Sequence, residues 1–348
     1  MKIGVMLGYS GSKASVPTEL VLAAESLGYS SVWTAEAWGS DAVTPAAWIL
    51  AKTNTIKAGT AIMQMSARTP AMTAMTAMTL NHLSEGRFIV GIGASGPQVV
   101  EGWYGEPYGK PIQRTKEYVS ILKNIFLREQ PLVHEGEHYQ IPFRGEGAMG
   151  QGKPLKSILH RSSSIPIYTG VATEKGVATA AEIADGCILV WMDPKKTSLW
   201  SRSLNKGFAL SMHKKKSLDN FDLATVIRVS MGDDMNACRM KIKNTFALYI
   251  GGMGSRQKNF YNDYAQRLGY VEEAKVIQDL FLSGEKDKAA QIVPDSLVDE
   301  TSLVGPKKHV AAQLENWQQA YSEQKLGSLI FNVSSIDELK FISNILLK

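Results

Sequence analysis

The chain has 348 residues, of which 44% are hydrophobic and 20% charged, and its formal net charge at pH 7 is +5. This hydrophobic fraction supports a large buried core, and so small a charge argues against a nucleic-acid-binding surface. Two cysteines, no apolar run near the roughly 20 residues that span a bilayer, and an N-terminus that starts in a strand favour a cytoplasmic protein without membrane association.

Strands and helices alternate regularly through the first third of the chain. We predict strands at 2–7, 31–35, 57–63 and 88–92, and helices at 17–27, 44–52, 70–83 and 111–127. Parallel neighbours in a sheet need a crossover connection, usually a helix, and four successive strand–helix units provide one each time. The pattern therefore predicts a parallel α/β sheet.

The remaining chain continues the alternation but contains two irregular insertions, at about 128–164 and 193–220, the first with a hairpin around His134 to Ile141. We predict further strands at 165–169, 187–191, 224–231 and 328–333, and helices at 174–184, 235–248, 255–292 (broken by glycines), 307–321 and 336–347. Eight strands with intervening helices predict a (β/α)8 TIM barrel, a single domain over residues 1–348. A doubly wound open sheet is the alternative, because counting strands does not show closure.

Ligands of parallel barrels bind where the strands end, so the residues that follow each strand are the candidates for chemistry. They contain no histidine, no cluster with metal-ligand spacing, no nucleophile elbow and no P-loop, so we expect no metal site. Glycines, aromatics, amides and a few carboxylates suit a flat, largely apolar cofactor whose own chemistry carries the reaction. In chain order they are Gly8 to Gly11; Glu36, Trp38 and Asp41; Gln64, Ser66 and Arg68; Gly93 to Gln98, Glu101, Trp103 and Tyr104; Gly170, Ala172 and Thr173; Trp191 and Asp193.

Two of these segments allow both a binding and a structural interpretation. The segment from Thr169 to Gly176 leaves a strand and opens a helix, so its backbone amides could bind a phosphate. From the local residues alone, an ordinary loop with Thr173 as helix N-cap is favoured. Arg68 could equally bind an anion or pair with a carboxylate near a helix start.

Glu36 and Glu101 are the carboxylates that we consider for proton transfer. An apolar pocket beside Trp38 or Trp103 would favour the protonated form that a general acid needs. Taken singly, each is more simply a surface acid or a hydrogen-bond partner of Arg68.

Several motifs together resemble the bacterial luciferase-like superfamily, and most closely its branch of oxidoreductases that use the deazaflavin coenzyme F420. The stretch Ser95-Gly96-Pro97-Gln98-Val99 is characteristic of that branch, and the similarity covers essentially the whole chain. The other matching segments are Ser31 to Glu36, Ser66 to Pro70, Leu83 to Phe88, Gly91 to Trp103, Gly145 to Gly147, Gly152 to Lys156 and Ala184 to Gly186.

The resemblance implies a (β/α)8 barrel that holds F420 at the carboxyl ends of its strands. In relatives a non-prolyl cis peptide bond makes a bulge in the third strand behind the ring, and the matching stretch here is Thr60 to Met63. The resemblance also makes the segment after the fifth strand a phosphate loop rather than an ordinary one. The implied cofactor contacts are Ala61, Ile62, Gln64, Ser66, Arg68, Gly93, Ser95, Gln98, Gly170, Val171, Ala172 and Thr173.

One departure concerns the second strand, where the sugar-phosphate dehydrogenase branch has an Asp-His step. This chain has Glu36-Ala37, which argues against a histidine-assisted mechanism and a sugar-phosphate substrate. We predict hydride transfer between F420 and an unidentified small organic molecule. Candidate catalytic residues are Glu36, Glu101 and Trp38, the last shaping the substrate pocket with Trp103, Tyr104 and the two insertions.

Two other functions remain open from the sequence. An FMNH2-dependent monooxygenase would use the same superfamily scaffold with FMN, and a non-catalytic barrel would only bind or store a cofactor. Relatives commonly form dimers, so a homodimer is expected.

Overall fold

Eight parallel strands close into a barrel in the computed structural model, which describes residues 1–162 and 164–347. Each barrel strand pairs with the next in the order β1, β2, β3, β5, β8, β9, β10 and β12, and β12 returns to β1. The (β/α)8 prediction is confirmed and the open-sheet alternative is wrong. Strands of the described residues are β1 (Ile3–Gly8), β2 (Ser31–Thr34), β3 (Lys57–Thr60), β4 (Met63–Gln64), β5 (Phe88–Gly93), β6 (His134–Glu135), β7 (Gln140–Ile141), β8 (Ile167–Gly170), β9 (Gly186–Val190), β10 (Asp222–Met231), β11 (Ser302–Gly305) and β12 (Leu329–Asn332).

Helices cover the outside of the barrel. Short 3₁₀ segments stand at Met65–Ala67 and Pro194–Trp200, and a π-helical turn occupies Leu248–Gly252. The α-helices of the described chain are α1 (Thr18–Ser26), α2 (Val43–Lys52), α3 (Pro70–Leu83), α4 (Pro97–Gly102), α5 (Pro111–Leu127), α6 (Glu174–Ile183), α7 (Ser201–Leu210), α8 (Met235–Ala247), α9 (Phe260–Arg267), α10 (Val271–Leu282), α11 (Lys286–Ile292), α12 (Asp295–Thr301), α13 (Lys307–Ser322) and α14 (Ile336–Leu346).

Side chains fill the inside of the barrel, so the space for a ligand lies above them. The packed inner layer is formed by Met6, Trp33, Ile89, Tyr168, Ile188, Ala224 and Ile330. Below that layer, Asp222 accepts hydrogen bonds from the hydroxyl of Tyr168 at 2.9 Å and from the hydroxyl of Ser328 at 2.7 Å. These bonds satisfy a buried carboxylate and close the amino-terminal end of the barrel.

The third strand is interrupted by a bulge. β3 ends at Thr60, the peptide bond between Ala61 and Ile62 is cis, and pairing with β5 resumes in β4, which confirms the predicted bulge. The Thr60 hydroxyl donates to the Gly91 carbonyl at 2.8 Å and accepts from the Gly91 amide at 2.9 Å. A side chain thus satisfies the β5 backbone where the ladder is broken. The contact leaves no room for a side chain at Gly91, whose Cβ would overlap the Thr60 carbonyl oxygen.

The structure departs from the sequence prediction most clearly in the second half. The segment 193–220 is not irregular, because it contains the 3₁₀ segment and α7, which packs on α6 through Gly207. A short helix, α4, and a short strand, β11, were also missed. The hairpin near His134 is confirmed as β6 and β7.

Candidate functional site

A cavity of about 1080 Å³ opens above the packed layer, at the carboxyl ends of the barrel strands. Its volume is at the upper end of the range for small-molecule sites, which is enough for a multi-ring ligand. Residues from the carboxyl-terminal parts of the barrel strands line the cavity, among them Gly8, Gly93, Gly170, Val190, Arg228 and Asn332.

The bulge forms one side of this cavity. Ala61 and Ile62 both line it, and the Ile62 side chain lies between the ends of β5 and β8. A Cβ at Gly93 would lie 2.8 Å from Ile62 Cγ1, and one at Gly170 would lie 2.8 Å from Ile62 Cγ2. The absence of a side chain at both strand ends therefore leaves the space that the Ile62 side chain of the bulge occupies. The result is an apolar surface facing the cavity, suited to contact with a flat ring.

The segment Gly170 to Thr173 also lines the cavity and leads into α6. Thr173 caps this helix, since its Oγ1 accepts the Gly176 amide at 3.0 Å. The helix has ten residues, and its first-turn amides and dipole face the loop, which favours a bound anion. The Arg267 guanidinium donates to the Ala172 carbonyl oxygen and brings a positive charge beside the loop. Thr173 can thus cap α6 while the backbone amides of the same segment bind an anion.

The loop that follows β5 lines the cavity on the side of the bulge opposite to the Gly170 to Thr173 segment. Ser95, with φ of 58°, adopts the left-handed conformation, and its carbonyl accepts the Tyr108 hydroxyl at 3.3 Å. Ser95 and Gln98 both line the cavity. Trp38 stands at the rim, 53% exposed, where it can contact a ligand without being part of the core.

Glu36 reaches the cavity wall, but its oxygens are occupied by the protein. Oε1 accepts hydrogen bonds from the backbone amide of Gln64 at 2.6 Å and from Arg68 Nη1 at 2.9 Å. Oε2 accepts one from the backbone amide of Ala42 at 2.9 Å. The side chain of Glu36 is 3% exposed and that of Arg68 is 18% exposed. This is the arrangement of a buried ion pair that joins the end of β2 to β4, and it engages Arg68 away from any ligand.

Among the residues predicted to be catalytic, to contact the cofactor or to shape the substrate pocket, six lie outside the cavity lining: Gln64, Ser66, Arg68, Glu101, Trp103 and Tyr104. Gln64 is buried, and its Nε2 donates to the Ala37 carbonyl at 2.7 Å. Glu101 and Trp103 are exposed on and just after α4, and Glu101 Oε1 accepts the Tyr108 amide at 3.4 Å. The predicted roles of these residues outside the cavity lining stay predictions.

The structure adds residues that the sequence prediction did not include, and the first of them lie toward the ends of the seventh and eighth barrel strands. Arg228 and Asn332 project there. A second group comes from the segment between Thr245 and Arg267, including Tyr249 on the π-helical turn and Tyr261 on α9. Neither predicted insertion contributes a described residue to the cavity lining, which corrects the expectation that they form the substrate pocket.

Over the described ranges 1–162 and 164–347, no group of three or more His, Cys, Asp or Glu side chains could hold a metal ion. Within the same ranges, no helix combines the length and apolar character needed to cross a membrane.

Comparison with known sequences supports one family. A family model described as luciferase-like monooxygenase matches residues 1–324. A protein of Mycobacterium tuberculosis, provisionally named a coenzyme F420-dependent oxidoreductase, is 45% identical over 322 residues, which are 92% of each chain.

Two solved structures share the fold over nearly their whole length. The coenzyme F420-dependent tetrahydromethanopterin reductase from Methanopyrus kandleri superimposes with a TM-score of 0.77 at 20% identity, covering 99% of this chain and 98% of the reductase. The oxygenating constituent of 3,6-diketocamphane monooxygenase from Pseudomonas putida, solved with FMN, gives a TM-score of 0.63 at 16% identity, covering 99% and 98%. At these identities the likeness concerns the fold.

Proposed function

This chain belongs to the luciferase-like monooxygenase family and is an oxidoreductase of that class, and from this premise we propose that it transfers a hydride between coenzyme F420 and a small organic substrate. The bulge at Ile62, held between Gly93 and Gly170, is the observation that carries the proposal. The bulge presents an apolar surface against which a flat ring can pack at the carboxyl end of the barrel. The relative at 45% identity, itself named for F420, supports the deazaflavin over other ring systems.

The residues present fit this cofactor. Ala61, Ile62 and Gly93 would contact the ring, and the loop Gly170 to Thr173 would bind the phosphate through backbone amides at the start of α6. Bound F420 supplies or accepts the hydride, so the protein has to bind, orient and exclude water rather than provide a nucleophile. Ser95 and Gln98 would complete the wall beside the ring.

The ion pair gives Glu36 a positioning role in this proposal. Its carboxylate holds the Gln64 amide and the Arg68 guanidinium, and so fixes the segment that follows the bulge. One lone-pair site on Oε2 is left over by these bonds, and protonation there would remove the charge that Arg68 is paired with. Glu101 is exposed outside the lining, so a proton-transfer role for it would require movement of α4. Trp38 at the rim would contact the substrate side of the ring.

Titration of the purified protein with F420 and with FMN tests the cofactor, using the change in fluorescence of each ligand. We expect F420 to bind more tightly than FMN. The variant Gly93→Ala should weaken F420 binding at least tenfold, since its Cβ displaces Ile62. The matched control Gly102→Ala, which meets no atom within 4 Å, should bind F420 as the wild type does. Tight FMN binding without F420 binding would refute the proposal.

The second candidate, an FMNH2-dependent monooxygenase, is favoured by the family description and by the fold shared with an FMN-containing monooxygenase. Oxygen consumption separates the two, because a deazaflavin does not usefully activate oxygen whereas reduced FMN does. Anaerobic reoxidation of reduced F420 by a panel of small ketones and enones separates either enzyme from a barrel that only binds a cofactor. We also propose a homodimer, because relatives commonly form dimers, and light scattering of the purified protein tests this oligomeric state.

A further inference from the structure

A single arginine projects into the cavity from the seventh barrel strand. Along β10, Ala224 and Val226 face the packed inside of the barrel, whereas Leu223 and Ile227 face the surrounding helices. Arg228 continues the inward series by one step and lies in the cavity lining, half-buried. Strand periodicity therefore places a cation directly above the packed layer.

This guanidinium is poorly satisfied by the protein. Nη1 donates to Asn332 Oδ1 at 3.4 Å, and the guanidinium carbon lies 5.8 Å from the centre of the Tyr249 ring. Within the described residues no carboxylate forms an ion pair with it, in contrast to Arg68 and Arg239, which both pair with acidic side chains. A guanidinium carries five N–H donors, and most of those of Arg228 are free to meet a ligand.

The surroundings of Arg228 add donors and apolar surface. Burial raises the pKa of Tyr261 to about 12 and that of Tyr249 well above its usual range, and the opposing charge of Arg228 does not cancel this. Both phenols therefore keep their protons at neutral pH. Trp191 and Val226 line the cavity beside them. An anionic oxygen on an apolar body suits this corner.

The corner is distinct from the phosphate loop. That loop follows β8, and its nearby cation is Arg267, whereas Arg228 lies on β10, with β9 between the two strands. The two carboxylates that line the cavity do not neutralise the charge of Arg228, because Glu36 pairs with Arg68 and Glu174 is exposed at the start of α6. The cavity thus has two separate positive ends.

We propose that Arg228 binds the charged oxygens of the substrate, so that this enzyme acts on organic anions, with a carboxylate as the group that best matches the guanidinium. Two parallel N–H donors can meet two carboxylate oxygens, which makes such pairs strong and directional. This inference rests on the proposed function, since it assigns to the substrate the part of the cavity that the cofactor leaves free.

Calorimetric titration with benzoate tests the assignment, with F420 saturating and again without cofactor. Benzamide is the neutral counterpart of benzoate, and phenyl phosphate distinguishes a phosphate preference from a carboxylate preference. The variant Arg228→Met removes the charge but keeps much of the length of the side chain. Its matched control is Arg202→Met, which removes the same charge from an exposed side chain of α7 outside the cavity lining.

Benzoate should bind the wild-type protein at least tenfold more tightly than benzamide, and Arg228→Met should lose tenfold to a hundredfold in benzoate affinity. Arg202→Met should keep benzoate affinity within threefold. The proposal is overturned if Arg228→Met binds benzoate like the wild type, if neither benzoate nor phenyl phosphate binds, or if the substitution weakens F420 rather than benzoate. Tighter binding of phenyl phosphate would support an anion site but correct the carboxylate preference.

Chemical labelling keeps the test valid if Arg228→Met fails to fold. Phenylglyoxal modifies accessible arginines, and benzoate should protect Arg228 of the wild-type protein from it, read by peptide mass. Equal labelling with and without benzoate contradicts the proposal. Failure of the proposed function would show itself separately, as absence of F420 binding, while benzoate binding to the cofactor-free protein would still report on Arg228.

Discussion

Replacing Glu36 by glutamine distinguishes a structural ion pair from a proton-transfer residue. The carboxylate accepts three hydrogen bonds, from the Gln64 amide, the Ala42 amide and Arg68. Glutamine offers one oxygen and one NH2 group, so whichever way it turns, a donor faces a donor. We therefore expect Glu36→Gln to destabilise the fold even though the two side chains have almost the same shape.

The magnitude follows from burial. Removing one partner of a buried ion pair costs about 3–5 kcal/mol, and the 18% exposure of the Arg68 side chain favours the lower end, about 3 kcal/mol. Unfolding entropies near 2.1 cal/mol/K per residue convert this loss to a fall in Tm of about 4 °C for 348 residues. Arg68→Met leaves the carboxylate with its backbone donors and should cost about 2 kcal/mol. Because Glu36→Gln and Arg68→Met disrupt the same interaction, the double variant should lose about 1–2 kcal/mol less than their sum.

Urea unfolding and F420 titration of both single variants and the double variant provide the assay. Glu101→Gln is the matched control, because that carboxylate is exposed and should change stability by no more than about 0.5 kcal/mol. The reasoning is refuted if Glu36→Gln unfolds like the wild type while hydride transfer is lost and its pH profile changes. Glu36 would then be the proton-transfer residue that the sequence first indicated.

Three further outcomes are expected. Gly91→Ala should fail to fold or lose more than about 4 kcal/mol, since its Cβ would overlap a backbone carbonyl, whereas Gly102→Ala should be silent, both read by urea unfolding. Burial would raise the pKa of Glu117, but one side-chain and three backbone hydrogen bonds lower it to about 2. Its contribution, about 3 kcal/mol, should be complete above pH 4.5 and lost as pH falls toward 2, and acid unfolding of Glu117→Gln should lack that dependence. Trp38→Ala should leave stability within about 0.5 kcal/mol, because the ring is 53% exposed, and yet weaken benzoate binding measured with F420 bound.

The sequence determined the elements whose signals are local. Helices α3 and α5 begin and end where prolines and the hydrophobic period place them, and eight alternating strands predicted the barrel, although its closure is shown only by the pairing of β12 with β1. It failed for α7, which contains a glycine, a poor helix former, where the helix packs closely on α6. It also failed for β11, which follows α12 with no loop between them and lies beside β10, outside the ring of eight barrel strands.

The site divides in the same way. Gly93 and Gly170 stood out in the sequence because they lie where predicted strands end, whereas the bulge at Ile62 and the phosphate loop were implied by the resemblance to the luciferase-like superfamily. Whether Glu36 faces a ligand or Arg68 depends on atoms 32 residues apart, which the pairing of β2 with β3 brings to 2.9 Å. The position of Arg228 in the cavity follows from closure, since only a closed ring of strands directs its side chain toward the same space as the phosphate loop.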